Sequence, residues 1–358
     1  MDTSQLKLFE QQSRNIQTKT FIGDINSIDV VEFSTEKHCG NIRLKTGEII
    51  ESVCLRCHIP TCMHFSKEEL NFNAFESFAS DTDSAVCPSM AISWSHDRTA
   101  PIIDPNLCIS CGLCIYRCPI GAIYYDDTMI ACVNDNESKF FELAHSQDVH
   151  KSMIEKLNSI SKYSILPVIN EEHFTRVYGR INEVGVQLPL KFPNLIIRNL
   201  LILLGLDAVI GRKGDVYTRM DLLFSDMKSI GIAEIERGLD ILNSPRNILD
   251  NVAVMHSRYN FDKKLIVPLI ISFSLPNQRS EYWQVISDIN KITGIKINSL
   301  TLGALLLLLW QNKQLNIDDI QTFYADSDTY SIRESIIKLT DRTWELSEGC
   351  LGILETTK

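Results

Sequence analysis

Cys108, Cys111, Cys114 and Cys118 stand at C-x2-C-x2-C-x3-C spacing, and Pro119 follows at once. Three thiolates in such steps wrap a cube of iron and sulfide, while a fourth that precedes a proline reaches a second cluster where two are present. Donors for a second cluster lie upstream: Cys54, Cys57 and Cys62 form C-x2-C-x4-C, and Cys87 is followed by Pro88. The two cysteine-proline segments repeat as C-P-x-x-A-I, Cys87 to Ile92 against Cys118 to Ile123. Zinc also takes C-x2-C, but a structural zinc site usually pairs two such knuckles at a distance. Disulfides belong to short secreted chains, and Met1 to Asp29 has no charged segment leading into an apolar one, as a secretion signal would. A reducing cytoplasm is therefore expected, with Cys39, Cys132 and Cys350 as ordinary thiols and Cys39 as a reserve ligand.

On these residues the chain resembles the bacterial-type two-cluster [4Fe-4S] ferredoxins. The resemblance implies a crossed ligand set: Cys108, Cys111, Cys114 and Cys87 around one cluster, Cys54, Cys57, Cys62 and Cys118 around the other. The chain departs from the family in the four residues before Cys62 and in the long insertion from Met63 to Val86.

A ferredoxin core takes well under a hundred residues, so most of the 358 must build something else. Charge divides the chain. Residues 1–150 hold 11 Lys and Arg against 21 Asp and Glu, whereas residues 151–358 hold 24 of each. The overall charge of -10 belongs to the first part, and the second is free to meet an anion locally. The apolar runs Leu195 to Leu206 and Leu300 to Trp310 fall short of the ~20 residues that span a bilayer, so no membrane partner is expected.

The elements that must position these residues follow from periodicity. Alternation between Ile25 and Ile50 predicts one or two strands, and residues 139–182 carry a helical pattern. Beyond Phe192 the order is helix (Asn194 to Leu204), a short lead from Val209 to Lys213, two strands joined by a hairpin around Asp226 (Arg219 to Phe224, Ser229 to Ile235), helix (Pro245 to Arg258), a strand buried on both faces (Leu265 to Phe273), helix (Glu281 to Thr293), strand (Ile295 to Leu302) and two closing helices. The expected divisions are 1–50, an arm and strands; 51–135, the two-cluster domain; 136–185, a helical linker; and 186–358, an α/β domain with a mixed central sheet.

That last domain holds a second constellation. Asp221 lies in the first hairpin strand, and Glu234 and Glu236 end the next, on one face because strand side chains alternate. Carboxylates converging at a sheet end make a hard oxygen site suited to Mg2+. Over Gly214 to Asp221 and Ala233 to Glu236 the domain resembles the restriction-endonuclease-like PD-(D/E)xK nucleases, with Asp221 and Glu234 at the two metal-binding acids and Glu236 where most members carry lysine. The resemblance implies metal-assisted phosphodiester hydrolysis. Arg212, Lys213 and Arg219 could contact phosphate, and Lys263 and Lys264 are a further basic pair. Neither a P-loop nor a G-x-G-x-x-G is present.

The whole is thus an α+β ferredoxin-like two-cluster domain followed by an α/β restriction-endonuclease-like domain. The expected function is DNA cleavage of restriction or defence type with structural or redox-regulatory clusters. The alternatives are an electron-transfer protein whose C-terminal domain docks a redox partner, and a module that holds DNA without cutting.

Overall fold

The computed structural model describes residues 16–22, 29–35, 60–94, 101–118, 123–126, 129–132, 171–185, 187–214, 219–346, 350 and 352–357. They form two compact units that do not follow chain order: Met1–Ser66 with Ser84–Leu188, and Lys67–Asp83 with Pro189–Lys358.

The first unit is made of short antiparallel pairs. β1 (Ile16–Ile22) pairs with β2 (Asp29–Thr35), β3 (Ile92–Trp94) with β4 (Pro101–Ile103), and β5 (Ile123–Asp126) with β6 (Met129–Cys132). Between β4 and β5 runs α1 (Leu113–Arg117), all five residues of which are buried. Later comes α2 (Glu171–Gly185), which buries Phe174, Val177, Tyr178, Ile181 and Val184. That spacing keeps one stripe of the helix apolar. The expected helical stretch 139–182 is represented by α2 alone, and residues 139–170 lie outside the described ones.

The second unit is built on one sheet with strand order β11-β10-β9-β8-β7. α3 (Phe192–Leu203), with Pro193 in its first turn, precedes β7 (Asp207–Ile210). β7, β8 (Leu222–Ser225) and β9 (Ile230–Glu236) form an antiparallel meander. The turn between β8 and β9 is closed by Asp226, whose Oδ1 accepts from the N–H groups of Lys228 and Ser229. α4 (Ser244–Tyr259) then carries the chain to β10 (Ile266–Ser272), parallel to β9. α5 (Glu281–Thr293) leads to β11 (Asn298–Thr301), parallel to β10. Parallel neighbours need such crossovers, and helices on both faces leave the middle strands dry. β10 is accordingly buried throughout. α6 (Leu302–Trp310), α7 (Ile317–Gln321) and α8 (Arg333–Thr340) complete the unit. Every residue of α6 is buried, and each such leucine gains about 1.5–3 kcal/mol over exposure.

Two residues of the sheet are set by close fits. A Cβ on Gly231 would come within 2.0 Å of the Phe224 ring, its partner across the β8–β9 ladder. Pro268, the third residue of β10, has no N–H to give, while its carbonyl accepts from Asn298 Nδ2 at 3.1 Å.

Residues 67–83 belong to the second unit. Asp81 N–H donates to the Ile210 carbonyl at 2.9 Å and Arg212 N–H to the Ala79 carbonyl at 2.8 Å, so the segment extends the β7 edge. Phe75 packs edge-on against Tyr259 and Phe261. Lys191 Nζ reaches Asp81 at 2.7 Å and Asp83 at 3.0 Å, and the buried Arg198 donates to the Asp83 carbonyl at 2.7 Å.

Candidate functional site

In the first unit, the chain from β4 into α1 is bent so that its sulfurs face inward. Cys108 N–H donates to the Asp104 carbonyl at 2.9 Å, and Asp104 Oδ1 accepts from Asn106 N–H at 2.8 Å. Ser110 and Gly112 take left-handed φ angles of 55° and 82°, a conformation glycine adopts without steric cost. Cys87, Cys108, Cys111 and Cys114 line one pocket together with Ser89, Ala91, Ile92, Ile103, Ile109, Ser110 and Leu113. The four cysteines expected around the first cluster are therefore gathered.

Their surroundings alone disfavour the thiolate form. Burial pushes the Cys108, Cys111 and Cys114 thiols upward, and the crowding of the other cysteines, Cys62 among them for Cys114, adds to it. A thiolate there needs positive charge and hydrogen-bond donors. Backbone N–H groups supply the donors: Ala91 to Cys87 Sγ at 3.2 Å, Ser110 to Cys108 and Leu113 to Cys111. N–H donors on sulfur and an apolar surround are what set the potential of a bound iron-sulfur cluster, which supplies one-electron chemistry.

Arg180 of α2 is a neighbour that sequence reasoning passed over. Its guanidinium donates to the carbonyls of Pro105 at 2.6 Å, Asn106 at 3.3 Å and Cys108 at 3.3 Å, and its charge draws the Cys108 thiol down. A charged residue spaced with the apolar stripe of a helix gave no signal of this role.

Cys62 and Cys118 are brought near each other by the residues before them. Thr61 Oγ1 donates to the Arg117 carbonyl at 2.9 Å, Arg117 Nε donates to the Thr61 carbonyl, and Arg117 Nη2 donates to that of His64 at 3.2 Å. Arg117 is 3% exposed and lies over the Phe65 ring, 4.1 Å from its centre. Cys54 and Cys57 lie outside the described residues.

The second unit places the carboxylates at one end of the β8–β9 ladder. Leu222 pairs with Ala233, so Asp221 and Glu234 are next in register, and Glu236 lies two residues on along the same face. Asp221 Oδ2 accepts from Ile235 N–H at 2.9 Å, and its carboxylate also accepts from Asn194 of α3. Glu234 Oε1 accepts from Asn251 Nδ2 of α4, and Glu236 Oε1 from Ser244 Oγ at 2.7 Å. Burial, and then the charges of Asp221 and Glu236, push the Glu234 carboxyl up to about 8. Asp221 is also raised, mainly by burial. Asn194, Ser244 and Asn251 were not singled out from sequence, because amides and hydroxyls at helix starts and on helix faces serve many ends. Among the described residues, no group of three or more His, Cys, Asp or Glu could hold a single metal ion. The three carboxylates share a sheet end without forming an ion cage.

Of the basic residues, Arg219 pairs with Asp250 at 3.2 Å, and both are largely exposed. No helix among the described residues is long and apolar enough to cross a membrane.

The sequence comparisons agree with the cysteine geometry. A family model described as a 4Fe-4S binding domain matches residues 101–124, the stretch holding β4, the cysteine loop and α1. An uncharacterized ferredoxin of Methanocaldococcus jannaschii is 32% identical over 111 residues, which is 30% of this chain and 53% of the relative. A ferredoxin 7Fe of Hydrogenibacillus schlegelii is 45% identical over 42 residues, 12% of this chain and 51% of the relative. The chain thus spans about half the length of the curated relatives it matches. No solved structure matches it. The matched residues, the gathered thiols and the donors aimed at them give this chain a ferredoxin-like iron-sulfur part.

Proposed function

We propose that the second unit is a Mg2+-dependent DNA-cleaving module of restriction or defence type, and that the iron-sulfur unit stabilises it or reports redox state to it. The observation that carries the reading is the pairing of Asp221 with Glu234 at the end of a three-strand meander, with a helix before it and a helix and parallel strand after it. Two carboxylates so placed would bind a divalent ion that polarises a phosphodiester and lowers the pKa of a bound water. Burial, and then the charges of Asp221 and Glu236, raise the Glu234 carboxyl, and a bound divalent ion would favour its ionised, ligating form. Glu236 occupies the position of the missing lysine and would orient the water.

One observation favours a second reading. Asn251, Ser244 and the Ile235 N–H already satisfy an oxygen on each carboxylate. A site closed by its own donors would hold DNA without cutting it. Incubating plasmid DNA with Mg2+ and either the parent or Asp221→Ala separates the two. Nicking by the parent and none by the variant supports hydrolysis, retention of DNA without nicking supports binding alone, and equal activity in both proteins removes the assignment of Asp221.

A further inference from the structure

An opening in the second unit lies away from the carboxylates. It has a volume of about 270 Å³ and is lined by Lys263, Lys264 and Lys296, by the apolar Ile266, Val267, Pro268 and Ile295, and by Thr293, Gly294, Asn298 and Gln321. Ile266 begins β10, whereas Glu234 is in register with Ile270, so the two sites are separated by about 13 Å along the strand at 3.3 Å per residue.

Two independent features give this pocket a ligand chemistry. Its charge is one-sided, because the lining includes three ammonium groups and no carboxylate. Lys296 Nζ lies 5.5 Å from the centre of the Tyr324 ring, which favours a fixed position for that ammonium. The second feature is Asn298, only 1% exposed. Its Nδ2 donates to the Pro268 carbonyl, which fixes the orientation of the amide, while its Oδ1 is buried without a hydrogen-bond partner among the described residues. Such an acceptor costs free energy unless a donor reaches it.

We propose that this pocket binds a phosphate monoester whose organic part carries a hydroxyl or amine. The lysines take the dianionic phosphate, for which ammonium groups serve as point charges. Ile266, Val267, Pro268 and Ile295 cover the carbon skeleton, and Asn298 Oδ1 accepts from the hydroxyl or amine. The size is at the small end for ligand pockets, about 300 Å³, which suits a nucleoside monophosphate or a sugar phosphate. The same chemistry occurs on a free nucleotide and on the phosphorylated end of a nucleic-acid strand.

The test uses the full chain with its clusters and isothermal titration. Glycerol 3-phosphate should bind saturably and about tenfold more tightly than methyl phosphate, which has no hydroxyl. Lys263→Gln with Lys264→Gln should weaken both by about tenfold or more, at exposed positions where folding is not at stake. Asn298→Ala should remove only the preference for glycerol 3-phosphate, and a thermal melt checks that it folds. Adenosine monophosphate and a 5′-phosphorylated oligodeoxynucleotide distinguish the sources, since the pocket takes strand ends if the oligonucleotide loses affinity on removal of its phosphate, and free nucleotides if only the monophosphate binds. No saturable binding of any phosphate, or binding indifferent to the two lysines, would overturn the proposal. The outcome is independent of nuclease activity, because Asp221 is untouched.

Discussion

Thr61 and Arg117 hold each other in both directions, the threonine hydroxyl donating to the arginine carbonyl and the guanidinium to the threonine carbonyl. Each is the residue just before a cysteine, Cys62 or Cys118. The pair therefore fixes two segments that the crossed ligand pattern assigns to one cluster, although one precedes the long insertion and the other follows α1. Thr61→Val should cost about 1–2 kcal/mol and Arg117→Met about 2–4 kcal/mol, because buried carbonyls lose their donors. Thermal melts and the rate of iron release in chelator measure both, and unchanged iron release in Arg117→Met would deny the pair its role in cluster retention.

Iron content tests the two ligand sets separately. With two cubane clusters the purified chain holds about eight irons. Cys118→Ala should remove about half, as should Cys111→Ala, while Cys350→Ala should leave the content unchanged. A parent value nearer four would show that the second ligand set holds no cluster.

Arg180 places a cation on the carbonyl side of the Cys108 loop. Reduction adds negative charge, which that cation favours, so Arg180→Gln should move the midpoint potential of one cluster downward by tens of millivolts. Electrochemistry on the folded protein reads this directly. An unmoved potential would limit Arg180 to holding α2 in place.

Glu234 makes stability depend on pH. Its carboxyl titrates near 8 when folded against an ordinary value of 4.5. A raised folded value means that the stabilisation is complete below about 4.5 and is lost as pH rises through about 8. Melting temperature should therefore fall between pH 5 and pH 9, and Glu234→Gln should flatten that fall and exceed the parent at the alkaline end. Parallel curves for the two proteins would show that another group controls the slope.

Gly231→Ala tests the packing that sets the β8–β9 register. The added methyl meets the Phe224 ring within the ladder itself, and overpacking of this kind costs about 1–3 kcal/mol. Combining it with Phe224→Leu should recover part of the loss, and full additivity in denaturant melts would contradict the direct clash.

Much of this was legible from residue order. The cysteine spacing located the gathered thiols, because a cluster requires donors of one kind at short steps. Glu281–Thr293 matched its predicted helix to the residue, since Ser280 caps it and Gly294 ends it. The strand edges moved by a few residues, as at Ile295, where Asn298 opens β11, because edges depend on partners rather than on local pattern. What carried no local signal was partnership across the chain: Arg180 with Cys108, Asn194 with Asp221, Asn251 with Glu234. The phenylalanines at 72, 75 and 78 show that their segment needs a core, and nothing in their spacing shows which one.

That segment, residues 67–83, has a consequence for synthesis. Asp81 and its partner Lys191 are 110 residues apart, so this segment leaves the ribosome long before the elements that receive it and must wait for them. Loop closure of that length is slow relative to local folding, and until it happens the aromatic side chains of the segment have no core to enter. Neither unit can be expressed whole as one uninterrupted fragment, and a cut at residue 188 leaves one product with surplus chain and the other without its edge.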